Sequence, residues 1–512
     1  MTAAVPSIVL AAINAKYIHT AFGARYLKAN LCEFESRAII LEFTIQERAA
    51  DMAEAILASR PESIVFPCYI WNIVLVDEVV RIVKAVRPDI IVILGGPEVS
   101  YPDDLPPVAD VADAIICGEG EMALVELLRN RQPTKPNPHI IAAPPVELAD
   151  LELPYHLYTD EDIRHRIVYV ESSRGCAFGC EFCLSSMDTR VRHFDTQRII
   201  DALDNLWQRG VRHFKFIDRT IHFSKAAPIL EYFRNQICPE LFLHFEIVPD
   251  RITDALIDML KAFPRGAVQL EAGVQTFNPD VSNRIGRKQN MERTEANIRR
   301  MVTETGVHIH SDLVVGLPGE SMDSLAAGFD RLLRTGVHEI QVGILKRLRG
   351  APIHRHTDPF QMIYRAEPPY DILQNNLIPF TDMQRLKRFS RYFDLVVNNG
   401  NFSETAPLIW QSGSPFHQFL AFTDWLFAQS GRTAGIALDR LAEYLFEYLV
   451  SVHPVSRETC ANAIRCDFIS HGRRRLPKCV REFASVPESD YSEAATDHRE
   501  SKLPERQRRH NQ

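Results

Sequence analysis

Short apolar runs alternate with amphipathic stretches across most of the first 345 residues, and this alternation restricts the fold more than any other feature. In the first 130 residues the apolar runs are Ile8–Ile13, Ala38–Phe43, Ser63–Cys68, Ile90–Leu94 and Ala114–Cys117. Helix-like segments at Arg25–Asn30, Asp51–Ser59, Val74–Val86 and Glu121–Arg129 lie between them. That order predicts a parallel sheet with crossover helices, an α/β unit over residues 1–131. Ligands of such sheets bind beyond the carboxyl ends of the strands. Those ends read Asn14-Ala15-Lys16-Tyr17, Tyr69-Ile70-Trp71-Asn72, Gly95-Gly96-Pro97-Glu98 and Gly118-Glu119-Gly120-Glu121, so polar groups, aromatics and glycines gather on one rim.

Six prolines between Gln132 and Pro154 remove backbone donors and disfavour helix, which places a linker at 132–160. A second alternation covers 161–350. Its strands are expected at Ile167–Val170, His213–Ile217, Leu241–Ile247, Ala267–Val274, Val307–Val315 and Glu339–Leu345. Helices are expected between them, for example at Ile199–Arg209, Ile252–Phe263, Glu292–Thr305 and Met322–Thr335. Six such units make a partial parallel (β/α)6 barrel, since a closed one needs eight. Residues 351–484 read as mostly helical, with Trp425, Leu426, Leu441, Tyr444, Leu445 and Tyr448 at helical spacing. From 485 to 512 large apolar residues almost disappear, as in a disordered tail.

Composition narrows the function. The chain has 512 residues, 46% of them apolar, which is ample for buried cores. Its formal charge of −8 argues against a nucleic-acid partner held through the phosphate backbone. No apolar run reaches a membrane span, and Met1–Pro6 followed by the short run Ile8–Ile13 is no signal peptide. Ten cysteines in such a chain indicate a reducing cytoplasm and metal ligation rather than a disulfide scaffold.

The strand at Ile167–Val170 is followed by Ser172-Ser173-Arg174-Gly175-Cys176-Ala177-Phe178-Gly179-Cys180-Glu181-Phe182-Cys183. Chance puts three cysteines at these two spacings in roughly 0.003 of such chains. Thiolates suit zinc or iron–sulfur centres. A structural zinc needs four protein ligands, and the nearest further candidate, His193, is ten residues away. Iron–sulfur cubanes also usually take four cysteines. Three ligands therefore fit an iron left open for a substrate or cofactor, beside the plainer readings of a structural zinc or inert thiols.

This CxxxCxxC loop resembles the signature of the radical S-adenosylmethionine (SAM) enzymes. The resemblance implies that Cys176, Cys180 and Cys183 hold a 4Fe–4S cluster whose fourth iron is chelated by SAM. It further implies reductive cleavage of SAM to a 5′-deoxyadenosyl radical in a dry site, with an electron donor such as flavodoxin or ferredoxin. Asp312–Glu320, including Gly316, Gly319 and Glu320, is similar to the family segment packing on the SAM adenosine. Gly273-Val274-Gln275-Thr276 is similar to the segment near the ribose. Phe216-Ile217-Asp218-Arg219-Thr220 stands where the family holds the SAM amino group, with Asp218 as the candidate, but it lacks the common Gly-Glu pair. Gly-Leu-Pro-Gly is equally an ordinary turn.

The N-terminal unit is similar to the Rossmann-like cobalamin-binding domain of cobalamin-dependent members. That likeness makes Asn14, Lys16, Tyr17, Tyr69, Trp71, Asn72, Gly95, Gly96, Glu98, Gly118 and Glu119 candidate cobalamin neighbours. Alternatively, the glycines only make tight turns and the aromatics are ordinary rim residues. The family's cobalt-ligating motif, Asp-x-His-x-x-Gly, is not matched. His19 is four positions before Gly23 rather than three, and Tyr17 stands where Asp belongs. We expect no histidine on cobalt. Arg391-Tyr392-Phe393-Asp394 and Asn398-Asn399-Gly400 look like a bacterial subgroup with its own C-terminal extension. Where that subgroup often has Phe-Asn, this chain has Ile221-His222.

The resemblance implies a cytoplasmic enzyme using SAM, a 4Fe–4S cluster and cobalamin, foremost to methylate an unactivated carbon. The alternatives are a radical cyclisation or rearrangement in which cobalamin carries an electron, and a cobalamin-binding sensor with a silent barrel. Cys460, Cys466 and Cys479 match no ligand pattern, Arg473-Arg474-Arg475 reads as a solvated run, and His308 and His310 are expected to share one side of their strand, more for packing than for substrate.

Overall fold

The computed structural model describes residues 7–130, 138–221, 223–472 and 475–481. His222, Arg473, Arg474 and the tail at 485–512 lie outside them, as does the start of the proline-rich segment. The chain divides into two compact units. One comprises Met1–Asp218, Lys346–His354 and Arg365–Asp371, the other Arg219–Leu345, Arg355–Tyr364 and Ile372–Gln512.

In the first unit β1 (Ile8–Asn14), β2 (Ala38–Thr44), β3 (Ser63–Pro67), β4 (Ile91–Gly95), β5 (Ala114–Gly118) and β6 (His139–Ala143) form one parallel sheet. Its order is β2-β1-β3-β4-β5-β6. All seven residues of β1 are buried. Val9, Ala11 and Ile13 enter one apolar core while Ile8, Leu10 and Ala12 enter the other. A strand covered on both faces has no polar parity, which is why these strands read as continuous apolar runs. The chain moves outward from β1 to β2 and then returns to the far side of β1, so the loops after β1 and β3 flank the switch point.

The segment read as a linker contains β6, paired with β5 from Ala114↔His139 to Gly118↔Ala143. Pro138 and Pro144 bracket this strand without entering it, so its backbone donors survive. Proline next to an edge strand is compatible with pairing.

Beyond it, β7 (Val168–Val170) leads into a small antiparallel pair, β8 (Ser173–Arg174) with β9 (Arg192–His193), which encloses the cysteine loop. β10 (His213–Phe216) pairs parallel with β7. In the second unit β11 (Phe242–Ile247), β12 (Val268–Gln275), β13 (His308–Val315) and β14 (Glu339–Ile344) pair parallel in sequence order, with helices between them. All six strands anticipated for the barrel are present.

A short pair, β15 (Ile363–Tyr364) with β16 (Ile372–Gln374), precedes helices at Phe380–Phe393, Pro415–Ser430, Leu438–Ser451 and Arg457–Ser470. Phe329 of the barrel helix Met322–Leu333 packs edge-on against Phe389, Phe393 and Phe416, all at most 1% exposed. This aromatic cluster joins the helical region to the barrel. Among the described residues no helix is long and apolar enough to cross a membrane.

Asp467, fully buried, fastens the last long helix to the loop before Ala406. It accepts hydrogen bonds from the Ser403 hydroxyl (3.2 Å), Glu404 N (2.8 Å), Thr405 N (3.1 Å) and the Thr405 hydroxyl (2.6 Å). Asp467→Ala strands four donors at once and is expected to cost about 3 kcal/mol in urea unfolding, Asp467→Asn clearly less.

Candidate functional site

The cysteine loop is shaped by its first turn. Gly175 has φ +86°, and a Cβ there would run into the Arg190 carbonyl, so only glycine lets the hairpin close. Cys176 N donates to Asp188 O at 3.0 Å, and Cys183 N to Cys180 O at 2.9 Å. Cys176 and Cys180 are buried, Cys183 is half-buried, and none of the three is in a disulfide. Among the described residues no three metal-binding side chains converge as the ligands of one ion would.

Two devices hold this loop. Asp218, 3% exposed, accepts from Ser172 N (3.0 Å), the Ser172 hydroxyl (2.6 Å) and the Ser173 hydroxyl (2.5 Å), while burial pushes its carboxyl up. Arg174 pairs with Glu121 (2.7 Å), Glu171 (3.1 Å) and Glu119 (3.5 Å) and covers the Tyr26 ring at 4.9 Å. Burial pushes Glu171 up to about 7, with Arg174 opposing the shift. Arg192 closes the network on Glu119 and donates to Val146 O at 2.7 Å. The loop after β5 is therefore bound to the base of the cysteine hairpin. No sequence signal marked Arg174 or Arg192 as the link to the loop after β5, because Glu119 and Glu121 lie more than about 50 residues away from them.

The other rim loops are placed as follows. Gly95 ends β4, and Gly96 packs so closely on Cys68 that a Cβ would sit 2.7 Å from its carbonyl oxygen. Glu98, 2% exposed, accepts from the Tyr370 hydroxyl at 2.9 Å and lies 3.5 Å from Arg349 Nε. It thereby ties the returning segments 346–354 and 365–371 to β4. Gly118 closes on Ala143. Asn14 Nδ2 donates to Glu42 at 2.8 Å. Asn72, 1% exposed, donates to Ile13 O and Pro67 O and accepts from Tyr69 N, which pins the loop after β3. Pinned in this way, Trp71 is 46% exposed and stacks on Tyr69 with ring centres 4.3 Å apart. Lys16 and Tyr17 are exposed beside the same switch point. His19 Nδ1 is 2.6 Å from the Tyr169 hydroxyl, and burial with neighbouring Lys215 and Lys16 lowers its pKa.

In the second unit the turn after β13 carries Gly316, Gly319 and Glu320, with Glu320 N donating to Leu317 O at 3.1 Å. Glu320 is 2% exposed. Its Oε1 accepts from Thr276 (2.6 Å) and Ser324 (3.3 Å), whereas Oε2 has no partner. Gln275 has φ +71° where the β12–β13 register shifts. One face of β11–β13, of which sequence reading marked only His310 and Asp312, carries buried His244 and half-buried Glu246, Glu271, His310 and Asp312, while the opposite face is buried. Polar residues at every second position of these strands were the available signal.

Residues 170–332 match the radical SAM superfamily, residues 8–128 the B12 binding domain, and residues 358–512 a protein family of unknown function, DUF4080. The 2-(S-pantetheinyl)-carbapenam-3-carboxylate methyltransferase of Streptantibioticus cattleyicolor is 26% identical over 350 residues, 60% of this chain and 50% of that one. The chain spans about half the length of the curated relatives it matches. In fold it is similar to OxsB, a cobalamin-dependent SAM radical enzyme solved with aqua-cobalamin and SAM (TM-score 0.59, 13% identity, 98% of this chain and 83% of that one). It is similar also to the radical SAM methyltransferase TsrM from Kitasatospora setae, solved with cobalamin and a [4Fe-4S] cluster (TM-score 0.55, 16% identity, 68% and 74%).

Burial pushes the Glu320 carboxyl up to about 7. A carboxyl raised on folding binds its proton more tightly in the native state, so that stability is present at low pH and lost as pH rises through about 7. Between about pH 5 and about pH 8, wild type should lose up to about 3 kcal/mol relative to Glu320→Gln, read by urea unfolding at both pH values.

Proposed function

Because this chain belongs to the radical SAM superfamily and carries a B12-binding domain ahead of its barrel, we propose that it is a cobalamin-dependent methyltransferase acting on an unactivated carbon. The observation that carries this reading is the trio of cysteines, outside any disulfide, on one braced loop at the carboxyl end of β7. Three cysteine thiols on one short loop are the donor type that an iron–sulfur cubane takes. Bound there, a 4Fe–4S cluster would supply one-electron reduction of SAM, and cobalamin would supply methyl transfer. The protein's part is to bind and orient them and to keep water away.

Cys176, Cys180 and Cys183 would hold the cluster. Asp218 and Arg174 act as positioning residues. Three donors already occupy the Asp218 carboxylate, which leaves room for about one more, such as an amino group of SAM. Gln275, Gly316, Gly319 and Glu320 are the further SAM candidates, and the unpaired Glu320 Oε2 supports a polar ligand there. For cobalamin, the exposed set Lys16, Tyr17 and Trp71 with Tyr69 offers an open rim beside the switch point. Asn14, Asn72, Glu98 and Glu119 shape that rim through their own hydrogen bonds, and Gly95, Gly96 and Gly118 let backbones approach closely. His19 is engaged by Tyr169, which supports a cobalt without a histidine ligand. A one-electron donor of the flavodoxin or ferredoxin type would complete the system.

Anaerobic reconstitution with iron, sulfide, cobalamin, SAM and reductant tests the reading. Wild type should show a 4Fe–4S spectrum and form 5′-deoxyadenosine and S-adenosylhomocysteine. Alanine at any one of the three cysteines should lower SAM cleavage by about 100-fold or more. Zinc in place of the cubane, or cleavage indifferent to those substitutions, would falsify it.

A further inference from the structure

The match to a family of unknown function begins at residue 358, and Phe360, Ile372, Asn375 and Met383 within it close on the turn after β13. Gly316 has φ +91° and Gly319 φ +82°, a conformation that other residues rarely adopt. C-terminal chain fills the space that a Cβ would need at both positions. At Gly316 that atom would lie 2.7 Å from Ile372 Cγ2 and 3.3 Å from Met383 Cε, and both of those side chains are fully buried. At Gly319 it would lie 3.2 Å from Phe360 Cε1 and would run into Arg284. The Arg284 guanidinium covers the Phe360 ring at 4.9 Å and donates to Pro318 O at 2.8 Å. Glycine is thus required in this turn by the packing of chain that follows the barrel.

Hydrogen bonds fasten the same chain to the turn. Leu345 N donates to Val315 O at 2.9 Å, and Ile372 N donates to Leu345 O at 2.9 Å, so β16 begins where the ladder of β13 and β14 ends. Asn375, 4% exposed, donates from Nδ2 to Gly316 O at 3.4 Å. Its Oδ1 accepts from Leu377 N (2.9 Å) and Ile378 N (2.8 Å), which fixes the side chain. Asn376 N donates to Phe360 O at 2.9 Å and so joins the support of Gly316 to that of Gly319. Glycine loses more freedom on ordering than any other residue, and a site binds more tightly when its ordering is complete before the ligand arrives. We propose that the C-terminal region is part of the SAM site. Phe360, Ile372, Asn375 and Met383 are positioning residues that hold the turn at 316–320 in the form that receives SAM. This deepens the radical SAM reading and rests on it.

The test is anaerobic calorimetric titration of SAM into the cofactor-loaded full chain, with iron content, cobalamin absorbance and circular dichroism recorded for every variant. Asn375→Asp keeps the acceptor for Leu377 N and Ile378 N and removes only the donor to Gly316 O. It should weaken SAM binding by about fivefold or more. Met383→Ala and Phe360→Ala, which remove packing against the glycines, should each weaken it by about tenfold or more, and Met383→Leu should restore most of the affinity. In 5′-deoxyadenosine formation the loss should fall on the KM for SAM more than on kcat. Asp467→Asn loosens the same region at the loop before Ala406 and should leave SAM affinity unchanged. If Met383→Ala does not fold, the near-isosteric Asn375→Asp decides. An Asp467→Asn variant that weakens SAM binding as much as the others, or weakening matched by loss of cluster and cobalamin, overturns the proposal. Wild type that binds SAM no better than the folded variants overturns this proposal alone. Wild type that loads a cluster yet binds no SAM overturns the radical SAM reading together with it.

Discussion

The ion network around Arg174 is the constraint on which the first unit depends. One guanidinium, 12% exposed, serves Glu171 at the end of β7 and both Glu119 and Glu121 after β5. Each of those carboxylates would be costly to bury alone, and removing the shared cation would leave several unpaired charges at once. Arg174 also stands next to Gly175, where the cysteine loop begins. The network therefore fixes the thiols relative to the rim of the N-terminal sheet within one unit. Asp218 does the same from the β10 side through three short hydrogen bonds. The cysteine loop is thus held from two strands rather than one, which limits how far its three thiols can shift.

The returning segments 346–354 and 365–371 extend that logic. Tyr370 and Arg349 reach Glu98, and Arg349 also pairs with Asp104. The Gly-Gly-Pro-Glu loop, whose composition suggests ligand contact, is through Glu98 also the attachment of chain that follows the barrel. A binding loop and a structural fastener have the same residue types, since both need close backbone approach and a charged side chain in a confined place.

The polar face of β11–β13 is assembled differently. Its carboxylates come from three strands and are neighbours by register, with Glu246 beside Glu271 and Asp312 beside Gly273.

The sequence by itself determined the alternation of strands and helices, the count of six barrel strands and the cysteine loop, because each is written in residues close together along the chain. Periodicity and spacing are local properties, and burial on both faces left them undisguised. Only the tertiary structure decided the strand order β2-β1-β3-β4-β5-β6, the strand inside the proline-rich segment, and the partners of Glu98, Glu119 and Asp218. Those depend on pairings between residues up to 272 positions apart, such as Tyr370 with Glu98, for which the chain carries no local signal. A carboxylate's type is legible in one dimension, but whether it meets a cation, a hydroxyl or an open space is settled only when distant strands are brought into register.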